Sequence, residues 1–289
     1  HANQGRGGIL PLITHPSLVA GVVAEALKAD LSQLIVGDAP VQGCDFNVLL
    51  RITGLDTWSS RLSAIEPRFK GIVDFRRTIA EFRKGVRHSY EIVGKGENYV
   101  LFNLGNDSLL EPLTDDRHGF RVTCYDPRLM AKTHSRGNHQ YLIAKEILDA
   151  DVVINLPKLK THKKAGITSA LKNLVGINGN KEYLPHHRVG GSESGGDCYP
   201  GRNPAKRLLE SVLDLQNTAT TRGGQRLYSG LASQLDRTIR LSGDNIGVEG
   251  SCGSDLTELD SGIGGARSGL VQDHVRLDGD EDVIAGTRQ

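Results

Sequence analysis

Aromatic residues make up only 5% of this 289-residue chain, tryptophan occurs once, and the single methionine is Met130. Bases need aromatic platforms to stack on, so this scarcity argues against a nucleic-acid binder, and no nucleic-acid-binding motif is present. No apolar run approaches the roughly 20 residues that a membrane-spanning helix needs, and the start does not resemble a signal peptide. The four cysteines, Cys44, Cys124, Cys198 and Cys252, lie far apart. With no CxxC and no close Cys/His pair, neither a zinc nor an iron–sulfur site is legible locally. Cofactors therefore stay unassigned, no metal ligand is named, and the thiols read as the reduced cysteines of a cytoplasmic protein. Excess charge is lacking too, with 35 basic against 34 acidic side chains. The chain opens on His1, and with no earlier methionine it reads as lacking its native start.

Glycine, by contrast, is plentiful, and its distribution separates a body from a tail. Residues 243–289 contain no aromatic and no lysine, and carry ten acidic side chains against three arginines. The remaining 1–242 then holds 35 − 3 = 32 basic and 34 − 10 = 24 acidic residues, a net of +8. A glycine-rich, acidic stretch poor in apolar residues reads as a disordered or aberrant tail beyond one α/β domain.

Within the body, 16–29 (PSLVAGVVAEALKA) places Leu18, Val22, Ala26 and Ala29 on one helical stripe. A short buried strand, 34–36, follows and stops at Gly37-Asp38. A helix leading into an apolar strand predicts an α/β fold, a mostly parallel sheet flanked by helices. Asp38 would then lie at a strand's carboxyl end, where such sheets bind ligands. Residues 55–120 read as an α+β insertion or cap, with a strand at 99–104. Spacing predicts a helix over 139–148, and the run VVINL predicts a central strand at 152–156 ended by Pro157.

Five lysines and a histidine then crowd into 155–176, NLPKLKTHKKAGITSALKNLVG. Thr168 is a suitable N-cap and Gly176 a suitable stop for a helix over 169–175. A cationic loop feeding a helix N-terminus points to anion binding, because free amides there carry partial positive charge. Lys158, Lys160, Lys163 and Lys164 supply charge, while Thr161 and Thr168 add hydroxyl donors. A charge run is also what a solvated surface loop looks like. The position after a strand, and the polar residues Asn173, Asn178, Asn180, Lys181, His186, His187 and Arg188 beyond it, favour a site. Histidine titrates near neutrality, so His162 and His186 are the proton-transfer candidates. Residues 190–197, GGSESGGD, read as a flexible loop and a possible lid.

The stretch VVINLPKLKTHKKAGITSALKNLVGINGNKEYLPHH resembles the signature of the DUF362 family: a strand, PKxKTH, a spacer, GxTxxLKNxxG, then a Lys and a His. The matching positions are Pro157, Lys158, Lys160, Thr161, His162, Gly166, Thr168, Leu171, Lys172, Asn173, Gly176, Lys181 and His186. The resemblance covers about residues 10 to 240 and implies an α/β domain with a polar site, but no reaction. It also implies a link to polysaccharide gene neighbourhoods and, through relatives with a ferredoxin-like segment, to redox work. This chain lacks those cysteines, and lacks the Lys-Pro-Asn-like opening strand of such relatives.

Together these readings predict a cytoplasmic enzyme for a small anionic metabolite, carrying a phosphate or carboxylate. His162, His186 and Lys172 would be catalytic, and Asp38, Lys158, Lys160, Thr161, Thr168, Asn173 and Lys181 would bind the ligand. The alternative is a redox-accessory or iron–sulfur-associated module without turnover.

Overall fold

The computed structural model describes residues 13–83, 86–92, 95–115, 119–122, 125–162, 165–219 and 222–241. The 243–289 tail, Cys124, Cys252, Lys163 and Lys164 lie outside them.

Helix α1 (Pro16–Ala26) starts where expected: Pro16 presets the first turn, and the His15 ring accepts from the Ser17 amide at 3.2 Å. The inward face differs from the expected one. Pro16, Val19 and Val23 are buried, while Leu18 is 49% exposed and borders an open apolar groove with Val22, Ala26 and Ile154.

Strand β1 (Leu34–Asp38) runs parallel to β2 (Phe69–Asp74), in the register Val36↔Ile72 and Asp38↔Asp74. Helices α2 (Phe46–Ile52) and α3 (Leu55–Ile65) make the crossover that a parallel pair requires. Asp45 caps α2 by accepting from Val48 N at 3.0 Å.

Beyond this unit the described strands pair antiparallel. Strand β3 (Thr78–Arg83) forms a hairpin with β4 (Val86–Glu91). Strand β5 (Tyr99–Asn103) pairs with β8 (Asn138–Ala144), which also pairs with β7 (His134–Ser135). Two-residue β6 (Phe120–Arg121) meets β11 (His187–Arg188), and β9 (Lys160–His162) meets β10 (Gly166–Thr168). The fold is mixed α and β, but the expected mostly parallel sheet is replaced by small, mainly antiparallel ones.

Two local expectations fail with it. The predicted helix over 139–148 is β8 followed by the one-turn α5 (Lys145–Leu148), because this apolar run finds β5 alongside it. The predicted strand over 152–156 is irregular, with Val152 76% exposed. An apolar run becomes a central strand only if neighbours hydrogen-bond both its edges, and among the described residues none does.

Helices α4 (Pro127–Thr133), α6 (Ala170–Asn173), α7 (Pro204–Thr218) and α8 (Arg222–Leu241) complete the described elements. Leu209, Val212 and Leu213 of α7 pack on Ala232 and Ile239 of α8. A second core joins Phe120, Val122, Tyr125 and Met130, and a third joins Ala39, Phe75 and Ala144 under Tyr99. Among the described residues no helix is long and apolar enough to cross a membrane.

Candidate functional site

The carboxyl ends of β1 and β2 form one side of the site. Asp74 and Arg76 make a near-bidentate pair, Oδ2 to Nη2 at 2.6 Å and Oδ1 to Nε at 3.0 Å. The buried Arg76 also donates to the carbonyls of Val41, Gln42 and Cys44. One planar guanidinium thus fixes the loop that leaves β1 just after Asp38. Asp74 and Arg76 escaped the sequence reading, although Asp74, like Asp38, is a carboxylate at the end of a strand.

The turn 174–181 closes over that side. Ala39 N donates to Gly176 O at 2.7 Å, and Gly179 N donates to Leu142 O at 2.8 Å. Both glycines are required by close approach: a Cβ on Gly176 would lie 2.2 Å from Asp38 Oδ1, and one on Gly179 2.3 Å from the Tyr99 ring. Lys181, 4% exposed, donates to Val175 O and to Asn178 O. Burial lowers its pKa to about 7, with Asp38 opposing the shift. Asp38 is open to solvent yet ringed by protein; lost solvation raises its carboxyl's pKa, and Lys181 pulls it back.

The remaining cations come from β9, the irregular segment just before it, and α6. Lys160 has its basicity lowered by lost solvation and then by Lys172 and Lys158, while Asp38 acts the other way. Lys172 Nζ lies 3.5 Å from His186 Nε2. Lys160 thus feels Lys172, Lys158 and Asp38, and Lys181 feels Asp38 and Lys172. Asn173 is on the same short helix, where its Nδ2 donates to Asn155 Oδ1 at 2.7 Å, and Asn155 donates onward to Ala170 O. That pair ties the irregular 152–158 segment to α6.

The expected cradle at a helix N-terminus is not built. Thr168 belongs to β10, opposite Lys160, rather than to an N-cap. Ser169 holds the cap position without a side-chain bond, and α6 is a single turn that continues as the 3-10 turn Leu174–Ile177. Too few peptide dipoles align there to matter. Thr161 lies on exposed β9 opposite Ile167. The His162 ring accepts from Ala165 N at 3.2 Å, closing the β9–β10 turn. Nor is 190–197 a loose lid: Ser192 N, Asp197 N and Cys198 N donate to Tyr199 O, Arg188 O and Gly190 O.

Residues 110–239 match the family model described as a domain of unknown function, DUF362. A curated relative from Synechocystis sp., named as a thylakoid-associated protein, is 40% identical over 62 residues. That match covers 22% of this chain and 19% of the relative, so the chain spans about a fifth of that protein's length. No solved structure matches.

Proposed function

We propose, for a chain whose residues 110–239 belong to the DUF362 family, that the lysine cluster binds a small phosphate- or carboxylate-bearing metabolite for an enzymatic step. Lys158, Lys160 and Lys172 hold the anion through charge-assisted hydrogen bonds. Thr168, opposite Lys160, shares its face of the β9–β10 pair, whereas Thr161 points to the other face; Asn173 sits beside Lys172 on α6, and the Asp38–Lys181 pair lies nearby. The observation that carries the reading is that Lys160, on β9 opposite Thr168, loses basicity to burial and then to the nearby charges of Lys172 and Lys158, with Asp38 opposing. Cations brought together repel, and an anion between them relieves that repulsion. Lys172 and His186, 3.5 Å apart, are the pair that would move a proton on the bound ligand.

The Synechocystis relative's name ties that protein to thylakoids. For this chain, an anionic headgroup is a second source of the same chemistry. A thermal-shift panel of inorganic phosphate, sugar phosphates, nucleotide sugars and phosphatidylglycerol vesicles separates the two. Saturating metabolite should raise the melting temperature of wild type by about 5 °C. Lys160→Ala and Lys172→Ala should lose that rise. Equal shifts in all three proteins would leave the lysine site unsupported, and a response to vesicles alone would move the reading to a membrane surface.

A further inference from the structure

We propose that His187, Asp197 and Cys198 form a binding site for one divalent transition-metal ion of the zinc and cobalt class. It is distinct from the lysine site and rests on different residues. One ligand atom from each of the three lies within 4.8 Å of the others. His187 Nδ1 is already 3.6 Å from Asp197 Oδ1, the spacing two donors adopt around a tetrahedral ion with bonds of about 2.0–2.3 Å. The sulfur has to close by about 1 Å from the widest separation allowed. Imidazole, carboxylate and thiolate together select a borderline ion over calcium or magnesium. Three protein donors leave at least one coordination position open, the pattern of catalytic rather than structural zinc.

The backbone presents these side chains on a rigid frame. His187 is on β11, paired with Arg121 of β6. Asp197 N donates to Arg188 O at 3.0 Å, and Arg188 N donates back to Asp197 Oδ1 at 2.7 Å. Gly196 passes so close beneath Gly190 that a Cβ would sit 2.2 Å from the Gly190 carbonyl oxygen. His187 and Cys198 are buried, whereas the Asp197 side chain, 52% exposed, stands at the mouth.

A second feature points to the same place. Glu210 is almost wholly buried and lies within hydrogen-bonding reach of the Cys198 thiol. Its Oε1 is met at 3.5 Å by Arg121 Nη1 and by Gly190 N. Metal binding breaks the Cys198 S–H bond, which in the resting state donates to Arg188 O at 3.2 Å; the sulfur's electron pair forms the metal–sulfur bond, and the proton passes to the neighbouring Glu210 carboxylate. Arg121 keeps its other counter-charge, Asp214, at 2.6 Å.

The test uses the full chain, stripped by a chelator and titrated with cobalt(II). One equivalent should bind with a thiolate-to-cobalt charge-transfer band in the near ultraviolet. Cys198→Ser should lose the band, and Asp197→Asn, at an exposed position, should weaken binding at least about tenfold. Lys160→Ala should leave cobalt binding unchanged. Absence of one-equivalent binding would overturn the proposal, as would an unaltered band in Cys198→Ser. Should Cys198→Ser fail to fold, unchanged affinity in Asp197→Asn overturns it alone.

Discussion

Single atoms decide the shape of the lysine site. Gly176 was legible as a helix stop, but its structural reason is different: Asp38 Oδ1 occupies the space a Cβ would need. Gly176→Ala should therefore destabilise the protein by about 1–3 kcal/mol in urea melts and displace Asp38. Lys181 gives a second prediction. Its folded pKa of about 7 lies below the 10.5 of an unperturbed lysine. Between those values the unfolded chain holds more protons, so stability rises with pH across that window. Urea midpoints of wild type measured from about pH 7 to about pH 10 should show an increase that Lys181→Met lacks. Asp38 has the opposite sense: with its pKa raised above 3.8, its contribution is full below that value and is lost as pH climbs through the folded pKa. Lys181 and Asp38 were both readable as polar positions in a motif. Their coupling was not, because 143 residues separate them and only the 174–181 turn brings them together.

Elements were legible in proportion to their local signals. The Pro16 start and the strand from Tyr99 are present, because a preset φ and β-branched or aromatic residues act locally; the strand from Leu34 is present too, but it is only half-buried and runs through Gly37 to Asp38 instead of stopping there. The 139–148 and 152–156 segments were misread because an apolar run does not announce its partner. Hidden for the same reason is the polar tie between β6 and α7. Arg121, 1% exposed at its side chain, reaches Asp214 at 2.6 Å and Glu210 at 3.5 Å. Arg121→Met leaves both carboxylates uncompensated and should cost about 3–5 kcal/mol in urea denaturation. Asp214, whose pKa burial already raises against the pull of Arg121, should then take up a proton more readily. Melts of that variant should recover part of the loss on mild acidification.

For the whole molecule, the near-zero net charge conceals a body of +8 and an acidic tail. The expectation that 243–289 is a disordered or aberrant tail falls outside the described residues. It predicts that residues 1–242 expressed alone melt within about 2 °C of the full chain, as ordinary changes away from the core do. Folding lost on truncation would show that the tail contributes to the domain. The antiparallel character of the small sheets bears on function as well. Asp38 lies at the carboxyl end of the parallel β1–β2 pair, the kind of position at which open parallel sheets bind ligands, although among the described residues that sheet has only two strands.

Calorimetric titration of inorganic phosphate tests the central claim most directly, using wild type, Lys160→Ala, Lys172→Ala and, as a charge-matched control, Lys70→Ala. Lys70 is exposed on β2, with its ammonium donating to Pro67 O. The account predicts one phosphate per chain, an affinity at least about tenfold weaker in each of the two site variants, and no change in the control. Equal affinities in all four proteins, or the same loss in Lys70→Ala as in the other two, would contradict it.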